Sequence, residues 1–551
     1  MTTTHAQQRS ARPESADLDH EVIIVGAGVC GIYQLYRMRE LGIDATILEA
    51  APEVGGTWYW NRYPGARFDS ESVTYSYSFS DELLQEWDWK ERFSGQPENL
   101  RYLQYVVDKF DLRRDIQLGV NVDGMTWRED SHSWAVRTSD GRELTSRFVV
   151  LGIGLLSVPT PPSYPGLDTF AGKSSHTFDF SLRPEDWEGK RVGVIGAGAT
   201  SIQLVPEIAK TAGELHVFIR RPNWIAPLNN SEISPEEMAE LKSRYTEIFE
   251  ACAKTPGGFV HDPDRRPFFE VPREERLALW ERLYTEPGFG IWLANFRDTF
   301  MNEEANAELS EFMADKIRGR IDDPEVADFL VPKDHGFGVQ RVPMETNYLE
   351  AFNRDTVHLV NLQKTPIQRI TPTGIETTDG EIELDVIIYA TGFDAVTGAY
   401  ERMDIRGVDG LQLKDAWADG PVTYFGLEVP GFPNMLMPTG PQSASASTNF
   451  PRGIEYGVDW ATDLMKHMWD KGLTREEPTR EAAEAWDAHV KELYGFMLMR
   501  KAQGWFTGYN SNVAGHEKGT IRYVVYNGGA PKFRRLTTEE ADAGYPGLTF
   551  G

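Results

Sequence analysis

The sequence predicts an α/β protein: two Rossmann-like dinucleotide-binding domains with a helical insertion. Three observations carry that prediction. Residues 21–25 (EVIIV) run straight into a glycine-rich turn and a helical stretch, residues 191–195 (RVGVI) repeat the plan, and between 230 and 331 apolar positions recur at helical spacing instead. At 551 residues the chain is too long for one ordinary core, so two or three domains are expected.

In the first unit the turn is Gly26-Ala27-Gly28-Val29-Cys30-Gly31. Gly26 permits the tight turn, Gly28 lets a pyrophosphate approach the backbone at the helix N-terminus, and Gly31 lets the helix pack on the strand. A second strand, 45–48, ends at Glu49, about 20 residues on, where an acid holds the ribose hydroxyls of an adenosine. The stretch 55–69, GGTWYWNRYPGARFD, is dense in Gly, Pro and aromatics and reads as a loop lying over a planar group. It resembles the flavin-side signature of the Baeyer–Villiger monooxygenases, a family of class B flavoprotein monooxygenases. The resemblance implies FAD in the first unit, with Thr57, Trp58 and Tyr75 beside it, and Asp69, the final acid of the signature, facing the active site.

Residues 117–150 alternate like a small antiparallel sheet with Asp140-Gly141 as its hairpin turn, and 148–151 read as a returning strand. The chain then crosses to the second unit. Four prolines within 158–165 fix φ and remove backbone donors, so this part reads as a stiff linker. Phe170, Gly172 and His176 follow at the spacing F-x-G-x-x-x-H, with His176 read as a hinge element in a turn rather than a proton carrier. Baeyer–Villiger enzymes complete this motif with Trp, whereas the related N- and S-oxygenating flavin monooxygenases end it in Tyr or Phe. Here the position is Phe180, which taken alone favours the N- or S-oxygenating alternative.

Past the crossing, Gly196-Ala197-Gly198-Ala199-Thr200-Ser201 forms the second turn, with Ser201 where the fingerprint has Gly or Ala, a change that loosens helix–strand packing. The following strand, 215–219, ends in Arg220-Arg221 where the first unit has Glu49. An acid repels a 2′-phosphate and paired guanidiniums bind one, so the second nucleotide is read as NADP(H) rather than NAD(H). Members of the resembling family place a Lys-Arg pair where this chain has Gln340-Arg341. Arg341 is kept and the Lys is not, so a weakened preference for NADPH is expected.

Within the insertion, Ser234-Pro235-Glu236-Glu237 offers an N-cap, an N1 proline and a capping-box acid, and Leu277, Trp280, Leu283 and Leu309, Phe312, Met313 recur at helical spacing. In the resembling family such an insert covers the cofactor cleft. Residues 386–390 lead into Thr391-Gly392-Phe393-Asp394, similar to that family's return from the NADP domain to the flavin domain. Gly440-Pro441-Gln442-Ser443 is expected against flavin and substrate, and the resemblance places Trp505 on a mobile loop that closes over NADP. The expected organisation is a disordered tail at 1–19, an FAD domain at 20–158 and 390–551, an NADP domain at 159–229 and 332–389, and the helical insertion at 230–331.

A net charge of −28 argues against nucleic-acid and anionic-membrane partners. With Cys30 and Cys252 as the two cysteines, a C-x-x-C relay is excluded and a reducing compartment fits. Residues 1–19 lack the apolar core of a signal peptide and no apolar run approaches membrane-spanning length, so a cytoplasmic protein, monomeric or weakly oligomeric, is expected. Fifteen Trp, 21 Tyr and 28 Phe suit apolar pockets around planar ligands. Reduced flavin and molecular oxygen give a C4a-peroxide, which attacks a ketone as an anion or, when protonated, passes its distal oxygen to nitrogen or sulfur. A fixed guanidinium suits the negative charge of the first route, with Arg341 the candidate and Asp69 its orienting partner. The expected substrate is a hydrophobic ketone, a small molecule whose identity and size the sequence does not give, and the product an ester or lactone.

Overall fold

The computed structural model describes residues 18–516 and 520–551. Most of the expected tail, 1–17, lies outside the described residues. Asp19, expected within it, is instead tied down: its carboxylate Oδ2 accepts from the Thr145 backbone N–H at 2.8 Å, and its own N–H donates to Thr145 Oγ1 at 3.1 Å.

The first sheet is parallel through β1 (His20–Val25), β2 (Ala45–Glu49), β3 (Ile116–Leu118) and β6 (Glu143–Leu151), with α1 (Val29–Glu40) connecting β1 to β2. Val22, Ile23 and Ile24 of β1 are fully buried, as a strand covered on both faces requires. Between β3 and β6 the chain makes an antiparallel meander of β4 (Val122–Arg128) and β5 (Ser133–Thr138), and Gly141, at φ +84°, turns the hairpin into β6. The small antiparallel sheet expected at 117–150 is therefore not separate. It is continuous with the parallel sheet because β6 pairs with β5 on one side and β1 on the other. Met435–Leu436 also pairs with β6, and Asp404–Arg406 with β4, so the C-terminal third of the chain returns to this sheet.

The second sheet is wholly parallel, in the order β10 (Val357–Asn361), β9 (Glu214–Ile219), β8 (Arg191–Ile195), β11 (Val386–Tyr389), β7 (Lys173–His176). The helix α2 (Ala199–Ile208) follows β8. A three-stranded antiparallel sheet within 367–383 covers one face, packing Ile370 and Ile375 with Phe218 and Ile387.

Two strands of chain cross between the sheets side by side. Thr160 N–H donates to Gly392 O at 2.8 Å and Asp394 N–H to Val158 O at 2.9 Å, so the Pro-rich linker is braced by the return connection. His176 ends β7 rather than lying in a turn. Its Nδ1 accepts from the Phe178 N–H at 3.0 Å, leaving Nε2–H to donate to Thr391 Oγ1 at 3.1 Å, and Thr391 Oγ1 donates to Thr160 O at 2.7 Å. Burial lowers the His176 pKa, which suits a neutral joint between three segments. Phe180 is buried against Trp187 in the core of the second sheet.

The insertion is helical, with principal helices Pro235–Ser243, Tyr245–Lys254, Arg273–Thr285 and Glu303–Arg318. Trp280, Leu283, Leu309 and Met313 are buried in it. Ser234 Oγ caps the first helix by accepting from Glu237 N–H at 3.1 Å, but the Glu237 carboxylate pairs with Arg92 instead of returning to Ser234, so the capping box is half made. The insertion's entry and exit are joined where Ala226–Pro227 pairs in parallel with Met344–Glu345. That pairing fixes the exit segment carrying Arg341. Among the described residues no helix is long and apolar enough to cross a membrane.

Candidate active site

A cavity of about 950 Å³ begins at the first glycine turn and runs beneath the insertion and the C-terminal segments. Its first end has backbone where side chains would otherwise stand. Gly28 faces Gly56 so closely that a Cβ on Gly56 would lie 2.9 Å from Gly28 Cα, and a Cβ on Gly31 would lie 1.9 Å from Gly26 O. The turn therefore has no room for side chains, and Gly26, Gly28, Gly56 and Thr57 line the cavity. Glu49 ends β2 at the same place. Its carboxylate accepts from Ala27 N–H at 2.6 Å and Ala51 N–H at 2.7 Å; burial pushes its pKa up and those two donors pull it down. The donors fix the carboxylate where it borders the cavity, with lone pairs left for hydroxyl donors.

The aromatic loop expected over a planar group does border the cavity. Trp58 Nε1–H donates to Tyr75 Oη at 3.0 Å, and Phe68 stacks on Tyr75 at a centroid distance of 4.4 Å. Trp58, Phe68 and Tyr75 all contribute to the wall. Burial raises the Tyr75 phenol to about 12, so it remains a neutral hydrogen-bonding group.

Further in, Asp69 and Arg341 meet. Arg341 Nη2 donates to Asp69 Oδ2 at 2.6 Å, and the same oxygen accepts from Met344 N–H at 3.3 Å. Asp69 is nearly closed off, with 2% of its side chain exposed, whereas Arg341 keeps 28% and reaches the cavity. The second guanidinium nitrogen donates to Val342 O at 3.2 Å, and the guanidinium carbon lies 5.7 Å from the Phe289 ring centroid. A planar cation is thus gripped by a carboxylate, a carbonyl and an aromatic face.

Several lining residues had no signal in the sequence. Phe259, Phe289, Trp292 and Leu293 come from the insertion, and Met497 and Met499 from the C-terminal part. Their apolar character was visible, but such residues are core by default, and only tertiary packing turns these toward a cavity. Gly440–Ser443, expected against flavin and substrate, does not line it. Gln442 is fully buried, donating to Asp487 Oδ1 at 2.9 Å and Pro421 O at 3.0 Å and accepting from Thr423 Oγ1. The flanking Thr439, Ser447 and Thr448 take its place on the wall.

The second fingerprint lies apart from this cavity. A Cβ on Gly198 would meet nothing within 4 Å, which leaves the N-terminus of α2 open to a phosphate. Thr200 and Ser201 open that helix; Ser201 is buried, its hydroxyl without a partner where Gly or Ala would carry no polar atom. Gly196 closes against Ala390 O. Arg220, Arg221 and Gln340 converge on the segment around Trp505: Gln340 Nε2 donates to Gln503 O at 3.0 Å, Arg221 Nη1 to the same oxygen at 3.5 Å, and Arg220 Nη2 to Ser511 Oγ at 2.6 Å. Arg221 also pairs with Asp334. Trp505, stacked edge-on to Phe506 at 4.3 Å, lines the main cavity, so one loop touches both that cavity and the Arg220–Arg221 end of β9.

Two glycine turns, each following a strand paired in parallel with its neighbours, with an Asp69–Arg341 pair on the wall of the first cavity, define a two-dinucleotide flavoprotein oxidoreductase. Residues 23–256 match the family model described as pyridine nucleotide-disulphide oxidoreductase. Cys30 and Cys252 are both free and buried, however, with desolvation raising each thiol to about 12. The chain is 43% identical to 2-oxo-Δ3-4,5,5-trimethylcyclopentenylacetyl-CoA monooxygenase of Pseudomonas putida over 98% of this chain and 99% of that one. It is also 43% identical to the methyl acetate-forming acetone monooxygenase of Gordonia sp. (strain TY-5), over 96% and 98%. A crystal structure of OTEMO in complex with FAD and NADP superposes with a TM-score of 0.93 at 41% identity, covering 97% of this chain and 100% of that one. The chain belongs to the Baeyer–Villiger monooxygenase family. A phenazine N-monooxygenase of Lysobacter antibioticus is also similar, 38% identical over 96% of both chains.

Proposed function

We propose that Arg341 and Asp69 are the catalytic pair of this FAD- and NADPH-dependent monooxygenase, which inserts one oxygen atom from O2 beside the carbonyl of a hydrophobic ketone to give an ester or lactone. The observation that carries the reading is the Asp69–Arg341 pair, 2.6 Å long, facing an apolar cavity continuous with the flavin groove. The groove residues fit FAD: the Gly28–Gly56 approach admits a pyrophosphate, Glu49 the adenosine ribose, and Trp58 and Tyr75 the ring system. When bound, the flavin takes hydride from the nicotinamide and activates oxygen.

Arg341 stabilises the negative charge that gathers on the substrate carbonyl oxygen as it is attacked. Asp69 acts as the positioning group, holding the guanidinium fork through a charge-assisted bond while lying out of water itself. Phe259, Phe289 and Trp292 exclude water and supply the apolar surface for the ketone. Gly196, Gly198, Thr200 and Ser201 receive the NADP pyrophosphate, and Arg220 and Arg221 its 2′-phosphate, with Gln340 and Trp505 closing over it. The proposed domains are FAD at 20–158 and 390–551, NADP at 159–229 and 332–389, and the insertion at 230–331.

Phe180 was the one position siding with N- or S-oxygenation. It is packed against Trp187, away from the cavity wall, which supports a packing role at the crossing rather than contact with the reacting atoms. The test is ketone-dependent NADPH consumption with product analysis over linear, small cyclic, macrocyclic and steroidal ketones. Ester or lactone from at least one class is expected; consumption that responds to amines and sulfides but to no ketone would overturn the reading.

A further inference from the structure

Far from the cavity, β9 and β10 bring two imidazoles together. The strands are parallel with His216 directly opposite His358, so both side chains project from the same face, and their ring centroids lie 4.8 Å apart. Glu214, two residues before His216, shares that face, with its Oε2 3.6 Å from His216 Nε2. One ligand atom from each of the three lies within 4.8 Å of the others, and among the described residues no second group of three His, Cys, Asp or Glu side chains is so disposed.

The geometry points to a binding site for a borderline divalent transition ion, Zn²⁺ or Ni²⁺, held by His216, His358 and Glu214. Imidazole and carboxylate are the donors such ions take, and bonds of 2.0–2.2 Å set donors roughly 3.3 Å apart in a tetrahedron. The widest pair of donors here needs to close by about 1.5 Å, within the reach of χ rotations of exposed side chains; Glu214 and His358 are both exposed. The nearest competing cation on the neighbouring strand is neutralised. Arg191 is in register with Glu214 but gives its guanidinium to Asp385, at 2.9 Å, and to Glu383. Three protein ligands leave a fourth position for water.

The site is structural rather than catalytic. It lies toward the N-terminal ends of the strands, whereas nucleotides bind outside their carboxyl ends. β10 is the edge of the sheet and is separated from β9 in sequence by the whole insertion, so a bound ion would clip together two strands that are remote along the chain.

The FAD-loaded full-length enzyme, titrated with Zn²⁺ by calorimetry and with Mg²⁺ as the hard-ion control, should take up a Zn²⁺ equivalent that raises the unfolding temperature. His358→Ala should weaken that equivalent by at least about tenfold and abolish the thermal shift, while leaving ketone-dependent NADPH consumption unchanged. Because the chain has 11 His, Cu²⁺ electron paramagnetic resonance on the wild-type enzyme supplies an independent reading, with two imidazole nitrogens expected on one copper. No Zn²⁺ uptake, uptake of equal affinity in His358→Ala, or copper lacking a two-nitrogen signature would each overturn the assignment.

Discussion

Arg341 is held from three directions, and each hold bears on what a substitution does. Arg341→Ala should lower ester formation by about 10²–10³-fold, the typical cost of removing one preorganised donor to developing charge, while flavin stays bound. Arg341→Lys should recover little of it, since a point charge cannot serve both Asp69 and Val342 O as the planar fork does. Product yield and flavin absorbance on the same samples check both; ester at near wild-type rate from the Ala variant would remove Arg341 from the chemistry. Asp69 and Arg341 were legible in the sequence because each lies in a recognisable motif. Phe289 was not, since its ring meets the guanidinium only through the folding of the insertion.

At the scale of elements, the loop carrying Trp505 is latched by the residues assigned to the 2′-phosphate. Arg221→Ala and Arg220→Ala should each raise the KM for NADPH more than that for NADH, and Gln340→Lys should widen the ratio by adding a cation while keeping a donor for Gln503 O. Steady-state constants with both nucleotides decide it, and an unchanged ratio in the arginine variants would show that they only hold the loop. Phe180→Trp should still give ester. Its cost is overpacking against Trp187, about 1–3 kcal/mol, read as a lower unfolding temperature; a change of product from ester to N- or S-oxide would show that the position selects the reaction. Strands β1, β2, β8 and β9 were legible from their apolar runs. The half-made capping box was not, because Arg92, 145 residues from Glu237, competes for the acid.

Across the whole molecule, the first sheet gains its last strands only when the chain returns at Asp404–Arg406 and Met435–Leu436, segments too short to announce themselves. The same return buries two carboxyl groups together, Glu428 and Glu476. Burial, then the neighbouring acid, raises Glu428 well above the usual range, and burial raises Glu476 to about 7. Both folded values exceed the unfolded ones, so the stability from these protonated groups is complete below the ordinary carboxyl range and is lost as pH rises through about 7. The unfolding temperature should fall between about pH 4.5 and about pH 7, and Glu476→Gln should flatten that fall; an identical slope in the variant would contradict the assignment. The central claim is oxygen insertion, and mass analysis of a ketone incubated with the enzyme, NADPH and labelled O2 tests it most directly. One labelled atom between the carbonyl carbon and its neighbour is the result expected; no insertion across a broad ketone panel, with labelled N-oxides or sulfoxides formed instead, would contradict it.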